Sequence, residues 1–282
     1  MKKSKNIGAS NFRKLLELAR KNNMDFNLLL KRYLQERFLY RLSISRYKEN
    51  FILKGGLLLI TIDIPASRPT MDIDFLTHRL DKNKIISAFK EILSVEYNDG
   101  VSFDSETLRS ETIDKDGAYQ GVRIKFKAYF NTSRNDMSID LGLGDYVLNP
   151  REVIFPTILN DESPVLSAYS LETIIAEKLE AMAKLLYANS RLKDFYDVYA
   201  IFNAHLLNEE NLAKSIKGTF ENRRTPLKDL KIIFSPEFYS FAEKQIQWTA
   251  FLNKNKILNA PSEFKDIVME IEKQIKHVLN NL

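Results

Sequence analysis

The segment from Phe51 to Leu76 constrains the fold of this chain more than any other. Phe-Ile-Leu-Lys-Gly-Gly-Leu-Leu-Leu-Ile leads, after a short break, into Arg-Pro-Thr-Met-Asp-Ile-Asp-Phe-Leu. From Thr70 to Leu76 apolar and charged positions alternate, the period of a strand with one buried face. Asp72 and Asp74 therefore project together, with Ile73 and Phe75 entering the core behind them. Two carboxylates this close repel one another unless a cation lies between them. Magnesium suits such a pair, because it takes hard oxygen ligands and binds through one or two carboxylates plus substrate phosphates. The alternative is a solvated turn that carries two acids.

Asn50 to Leu53 reads as a strand, Gly55-Gly56 as a turn and Leu57 to Ile62 as a helix. A strand, a glycine turn and a helix start bring backbone N–H groups and the positive end of a helix toward one point, where phosphate binds well. An ordinary tight turn uses the same residues. Arg68 flanks the acid pair and is suited either to a charge-assisted fork on a triphosphate or to pairing with a nearby carboxylate. Lys54, just before the glycines, is a weaker candidate of the same kind. Metal-assisted phosphoryl transfer often uses a third acid. The best candidate is Asp140, in Ser-Ile-Asp-Leu-Gly-Leu-Gly-Asp, where Ile139 and Leu141 alternate with it and Gly142 and Gly144 leave room beside it. Asp145 reads as a turn cap.

Gly-Gly, Arg-x-Thr-x-Asp-Ile-Asp and the later Ile-Asp-Leu-Gly resemble the motifs of the DNA polymerase β-type nucleotidyltransferase superfamily. Two further segments narrow the likeness. One is Arg37-Phe-Leu-Tyr-Arg-Leu-Ser-Ile-Ser. The other, between Glu172 and Phe202, reads Glu-Thr-Ile-Ile-Ala-Glu-Lys-Leu-Glu-Ala-Met and then Asn-Ser-Arg-Leu-Lys-Asp-Phe-Tyr-Asp-Val-Tyr. With these the chain is similar to the AbiEii/AbiGii family of nucleotidyltransferase toxins, the toxic halves of abortive-infection, type IV-like toxin–antitoxin systems. The likeness runs from Phe12 to Phe202, and the C-terminal third carries no recognised motif.

The resemblance implies a Mg2+-dependent transferase of phage defence. It would move a nucleoside monophosphate from an NTP to an acceptor, commonly a tRNA 3′ end, and be restrained by a separately encoded antitoxin, with a winged-helix type suspected. It implies that Asp72, Asp74 and Asp140 hold metal and that Gly55 and Gly56 bind triphosphate. It further implies that Lys178 is catalytic and that Lys193, Asp194 and Asp197 contact the nucleotide. The wider superfamily has Gly-Ser where this chain has Gly55-Gly56, so any phosphate contact there is backbone only. Two alternatives stay open: a nucleotide-binding toxin that modifies or phosphorylates a protein such as its antitoxin, and one that binds NTP without transfer.

Physically, Glu172 to Leu186 is apolar at helical spacing through Ile175, Leu179, Met182 and Leu186, with Lys178 beside the stripe. A lysine so placed either snorkels to solvent or reaches a phosphate as a flexible point charge. Ser190 to Phe202 begins with a cap at Asn189 or Ser190 and buries Phe195, Val198, Tyr199 and Phe202. Asp194 and Asp197, three residues apart, are neighbours on the other side. They fit a helix-dipole complement, a sugar contact or a hold on Lys178.

Composition sets the remaining bounds. With 282 residues, 44% hydrophobic and 28% charged, the chain is ordinary for one large or two modest globular domains. No apolar run approaches membrane-spanning length. The basic start Met-Lys-Lys-Ser-Lys-Asn lacks the apolar stretch of a signal peptide. Absence of cysteine excludes disulfides and thiol chemistry and fits the cytoplasm. The three histidines are too scattered for a zinc cluster. A net charge of +5 leaves positive surface to spare. Lys31, Arg32, Arg37, Arg41, Arg46 and Lys48, interleaved with tyrosines, read either as an RNA-facing surface or as the solvated side of an amphipathic helix.

Along the chain, Asn11 to Arg46 reads as two helices broken near Asn22-Asn23-Met24-Asp25, and Lys84 to Leu93 as another. Val101 to Asp104 and Arg123 to Phe130 read as strands. Pro150, Pro156 and Pro164 mark a connecting stretch. Helices follow over Glu210 to Phe220, Glu237 to Asn253 and Ser262 to Leu279. The expected class is α+β: a polymerase-β-type nucleotidyltransferase lobe with a mixed sheet, preceded by helices, over residues 1–160, and a helical lobe over 161–282. A cleft between the lobes would bring Lys178 and Asp194 toward Asp72 and Asp74.

Overall fold

The computed structural model describes residues 7–62, 70–77, 80–115 and 119–280. They fall into two compact units. One is drawn from Met1–Thr61, Pro69–Gly144 and Arg151–Ala168, the other from Ile62–Arg68, Asp145–Pro150 and Tyr169–Leu282.

The first unit begins with helices α1 (Ile7–Lys21) and α2 (Phe26–Ser43). Asp25 caps α2, accepting from Asn27 N at 2.7 Å and Leu28 N at 3.1 Å. Then come β1 (Ile52–Lys54), the one-turn α3 (Gly55–Leu58), β2 (Ile73–Thr77) and α4 (Lys82–Leu93). Three long strands follow, β3 (Val101–Lys115), β4 (Tyr119–Phe130) and β5 (Ser133–Leu143), and after them β6 (Arg151–Ile154) and β7 (Val165–Ala168). Among the described residues the seven strands form one mixed sheet in the order β3-β4-β5-β2-β1-β7-β6. β2 runs parallel to β5 and antiparallel to β1.

One face of this sheet makes the core. Ile73, Phe75, Ile124, Ile139 and Leu141 are completely buried on it. Phe38 of α2 lies 5.7 Å from Phe126 and 5.8 Å from Phe89 of α4, and Phe51 lies 5.9 Å from Phe75. The expected pair of N-terminal helices is present, with its break at the expected asparagines. β6 and β7 fall within the stretch expected to be a connection. They are only four residues each and flanked by prolines, so alternation had no length in which to show.

α2 differs from the expectation of a basic surface. Arg37 and Arg41 are buried rather than solvated. Arg41 forks onto Asp99 at 2.9 and 3.1 Å and donates to the carbonyls of Val95 and Val101 at 3.0 and 2.7 Å. Arg37 donates to Glu36 at 2.9 Å and to the carbonyl of Glu162 at 3.1 Å, and Glu36 accepts from Ile158 N at 2.9 Å. Arg32 lies over the Phe155 ring at 4.1 Å. These arginines tie α2 to the loops around it, leaving Arg46 and Lys48 in exposed pairs with Glu91 and Glu152. Removing one partner of a buried pair strands the other charge. Arg41→Ala is therefore expected to cost about 3–5 kcal/mol of stability, read from urea unfolding; a loss below about 1 kcal/mol would show that Asp99 finds other donors.

The second unit is helical: α5 (Leu171–Leu185), α6 (Leu192–Ala204), α7 (Glu209–Arg223), α8 (Asp229–Ile233), α9 (Pro236–Tyr239), α10 (Ala242–Asn255) and α11 (Phe264–Asn280). Ser170 caps α5 at Thr173 N. The helix expected over Glu237 to Asn253 is interrupted at Ser240 and Phe241, between α9 and α10. Trp248 is buried and donates to the Pro261 carbonyl at 2.9 Å, while Phe195 meets Phe264 at 5.0 Å. No helix among the described residues is long and apolar enough to cross a membrane.

Candidate active site

Residues directly opposite each other on paired strands share a face of the sheet. Lys54 of β1 stands opposite Asp74 of β2, Asp74 opposite Asp140 of β5, and Asp140 opposite Arg123 of β4. Four charged side chains thus form one row, on the face opposite the core set by Ile73, Phe75, Ile139 and Leu141. Asp72 precedes Asp74 by two residues, lies just outside β2 and is exposed. Asp74 and Asp140 stand opposite each other through the parallel pairing of two strands far apart in sequence.

Arg123 is the residue that sequence reasoning missed. Its Nε donates to Asp140 Oδ1 at 2.7 Å and its Nη2 to Asp140 Oδ2 at 2.9 Å. The bond to Asp140, opposed by burial and helped by the charges of Asp140, Asp72 and Glu111, holds the guanidinium above its ordinary value. A counter-charge for Asp140 is therefore supplied by the protein itself, from the side away from Asp74. Alternation along Arg123-Ile-Lys-Phe-Lys marks Arg123 as a polar-face residue, but its partner depends on register, which local pattern does not carry.

Gly55 supports Asp74. It has φ +72°, and a Cβ placed on it would overlap Asp74 Oδ2 and lie 2.8 Å from the Asp74 Cβ and Cγ. Only glycine lets the backbone come this near the carboxylate. The helix expected from Leu57 starts instead at Gly55 and lasts one turn before a 3-10 turn at Leu59–Thr61. So short a helix contributes little dipole, and what the turn offers is backbone amides and space. Gly56 is half-buried beside it. Arg68 lies outside the described residues.

The second constellation lies in the helical unit. Lys178 Nζ donates to Asp194 Oδ1 at 2.9 Å and to Asp197 Oδ2 at 2.6 Å, and Arg191 pairs with Asp194 at 2.8 Å. Burial opposes charge on Lys178, but Asp194 and Asp197 outweigh it and hold the ammonium above its usual value. Burial likewise works against Asp194, and Lys178 and Arg191 prevail, keeping its carboxyl low. Both acids hold Lys178, and Asp194 also lies in the first turn of α6, where an acid complements the helix dipole. Lys193 is half-buried on α6 and adds to the positive field at Asp194. The N-cap of α6 is Arg191, with Asn189 Oδ1 accepting from Arg191 N at 2.7 Å. Asp145, read as a turn cap, instead pairs with Arg223 at 2.9 Å.

Among the described residues no group of three or more histidines, cysteines or acids is placed to hold a metal ion. Both Asp140 oxygens face Arg123. The set nonetheless suits a hard divalent ion, since such an ion needs only one or two carboxylates when phosphate oxygens complete its shell.

Among curated proteins none matches this chain. The crystal structure of JHP933 from Helicobacter pylori aligns with a TM-score of 0.53 at 15% identity, covering 92% of this chain and 94% of that one. At that identity the likeness speaks for the fold. A second H. pylori chain, named provisionally as a nucleotidyltransferase, aligns at 15% identity with a TM-score of 0.48, covering 92% of this chain and 97% of that one. The family model described as "Nucleotidyl transferase AbiEii toxin, Type IV TA system" matches residues 37–270, well over half of the chain.

Proposed function

Because the chain belongs to the AbiEii family of nucleotidyltransferase toxins of type IV toxin–antitoxin systems, we propose that its nucleotidyl transfer takes place at the row Lys54, Asp74, Asp140 and Arg123. The donor is an NTP and the acceptor a tRNA 3′ end. The observation that carries this is the in-register meeting of Asp74 and Asp140 on parallel strands, beside a glycine whose missing side chain makes room for the Asp74 carboxylate.

In this reading the acceptor hydroxyl oxygen bonds to the α-phosphorus of the NTP. The bond from that phosphorus to the bridging oxygen breaks, and pyrophosphate leaves with the electron pair. The hydroxyl proton passes to a carboxylate of the row, with Asp140 in the role of base. Asp72 and Asp74, with Asp140 as third acid, would hold Mg2+, which when bound neutralises charge on the triphosphate. Gly55 and Gly56 would meet the triphosphate through backbone amides, and Lys54 adds a cation at the turn. Arg68 is kept as a further triphosphate contact. In the helical unit Lys178 is the proposed phosphate contact, with Lys193, Asp194 and Asp197 as nucleotide contacts. What supports this is that Asp194 and Asp197 of α6 meet the Lys178 ammonium of α5, and a phosphate would have to compete with these two carboxylates for it.

The proposed setting is the cytoplasm, with a winged-helix antitoxin as partner and abortive infection of phage-infected cells as outcome. The test is to incubate the purified chain with each of the four α-labelled NTPs, Mg2+ and total tRNA. The expected result is label on tRNA from at least one donor. Label appearing only on protein moves the acceptor, and no label from any donor removes the proposal.

A further inference from the structure

The row Lys54, Asp74, Asp140, Arg123 has two like charges side by side in its middle and one cation at each end. Adjacent strands lie about 4.8 Å apart, so acids in register there turn away from each other unless each has a counter-charge. For Asp140 that counter-charge is a two-point fork, at 2.7 and 2.9 Å. A planar guanidinium fixes the plane of a carboxylate as well as balancing its charge, which an ammonium does not. Asp140 is 6% exposed and Arg123 33% exposed. The orientation of a deeply buried acid is thus set by a cation that solvent reaches. Asp72 adds to the field on the same guanidinium.

From this geometry we propose that Arg123 is a positioning residue of the transfer site. It holds Asp140 edge to edge with Asp74 and competes with divalent cations for the Asp140 oxygens. The kinetic part rests on the reading of the row as the transfer site, whereas the cation-binding part stands without it.

The experiment measures Mn2+ binding to the full chain by loss of the free-ion electron paramagnetic resonance signal, with thermal midpoints recorded alongside. Wild type is compared with Arg123→Gln, Arg123→Lys, Asp140→Asn and the Arg123→Gln/Asp140→Asn double variant. Arg123→Gln is expected to bind Mn2+ about fivefold tighter, the scale of one unit charge removed from beside the site. Arg123→Lys, which keeps the charge, keeps the wild-type affinity. The gain is absent when Asp140 is already Asn. In transfer assays both Arg123 variants lose about tenfold to a hundredfold in kcat, as for other residues that orient a ligating side chain, while the NTP KM changes less than about twofold.

Equal Mn2+ affinity in wild type and Arg123→Gln overturns the proposal. So does a gain that persists without the Asp140 carboxylate, or an Arg123→Lys variant with full kcat. Should Arg123→Gln not fold, Arg123→Lys decides alone: lower kcat at unchanged KM and thermal midpoint supports the proposal, and wild-type kcat overturns it. If wild type transfers no nucleotide, the functional reading falls while the Mn2+ comparison still decides what Arg123 does.

Discussion

Asp74→Asn is expected to lower nucleotidyl transfer by about a thousandfold while leaving the fold intact. Asp74 stands between Lys54 and Asp140 in the row, on a strand whose alternate residues Ile73 and Phe75 anchor it in the core. The amide has the shape of the carboxylate but not its charge. Positioned charges that act on a transition state are worth about a hundredfold to a thousandfold each when removed singly, and a carboxylate that also holds a cation lies at the upper end. Stability should move the other way or not at all. Asp74 and Asp140 are like charges in register, so neutralising one removes repulsion. The measurement pairs kcat for transfer of labelled nucleotide with a thermal midpoint. Activity within about threefold of wild type would mean that the reacting phosphate is elsewhere, and a collapsed midpoint would make Asp74 a structural acid.

The second large effect is at Gly55. Gly55→Ala meets two penalties at once. Its φ of +72° is a conformation that costs an L-residue roughly 1–2 kcal/mol, and the new methyl would occupy the space of the Asp74 carboxylate. The backbone is pinned by β1 on one side and α3 on the other, so the carboxylate is the part that turns. Transfer should fall by about a hundredfold, as misplacement of a reacting group by about 1 Å does, with about 2 kcal/mol or more lost from stability. Gly144 separates the two penalties. It has φ +80° with nothing within 4 Å of a Cβ, so Gly144→Ala carries backbone strain alone. Equal stability losses at the two glycines would show that the Asp74 contact costs nothing.

What the sequence could and could not reveal divides along physical lines. Asp74 and Asp140 were legible as polar-face residues because strand alternation is local and strict, whereas Asp72, expected on the same strand, precedes its start at Ile73. That Asp74 would pair with Asp140 rather than with a residue two places along was not, since register is settled by the whole sheet. Arg123 stayed hidden for the same reason. Arg37 and Arg41 misled because a buried arginine and a solvated one look alike in a helix, and only their partners, Glu36 and Asp99, tell them apart. The hold of Asp194 and Asp197 on Lys178 was within reach, because spacing within α6 makes the two acids neighbours. The α+β class and the helical nature of the C-terminal part followed from long, strongly periodic segments, while the four-residue strands β6 and β7 gave too little pattern to recognise.

The parallel pairing of β2 with β5 also governs timing. Asp72 and Asp74 emerge from the ribosome well before Asp140, and β3 and β4 must be laid down between them. Pairings between strands this far apart in sequence form late, because the intervening loop must close first. A nascent chain halted before residue 133 would carry Lys54, Asp72 and Asp74 but no β5, and so no Asp140 opposite Asp74. The four-residue row is therefore complete only after β5 has been made.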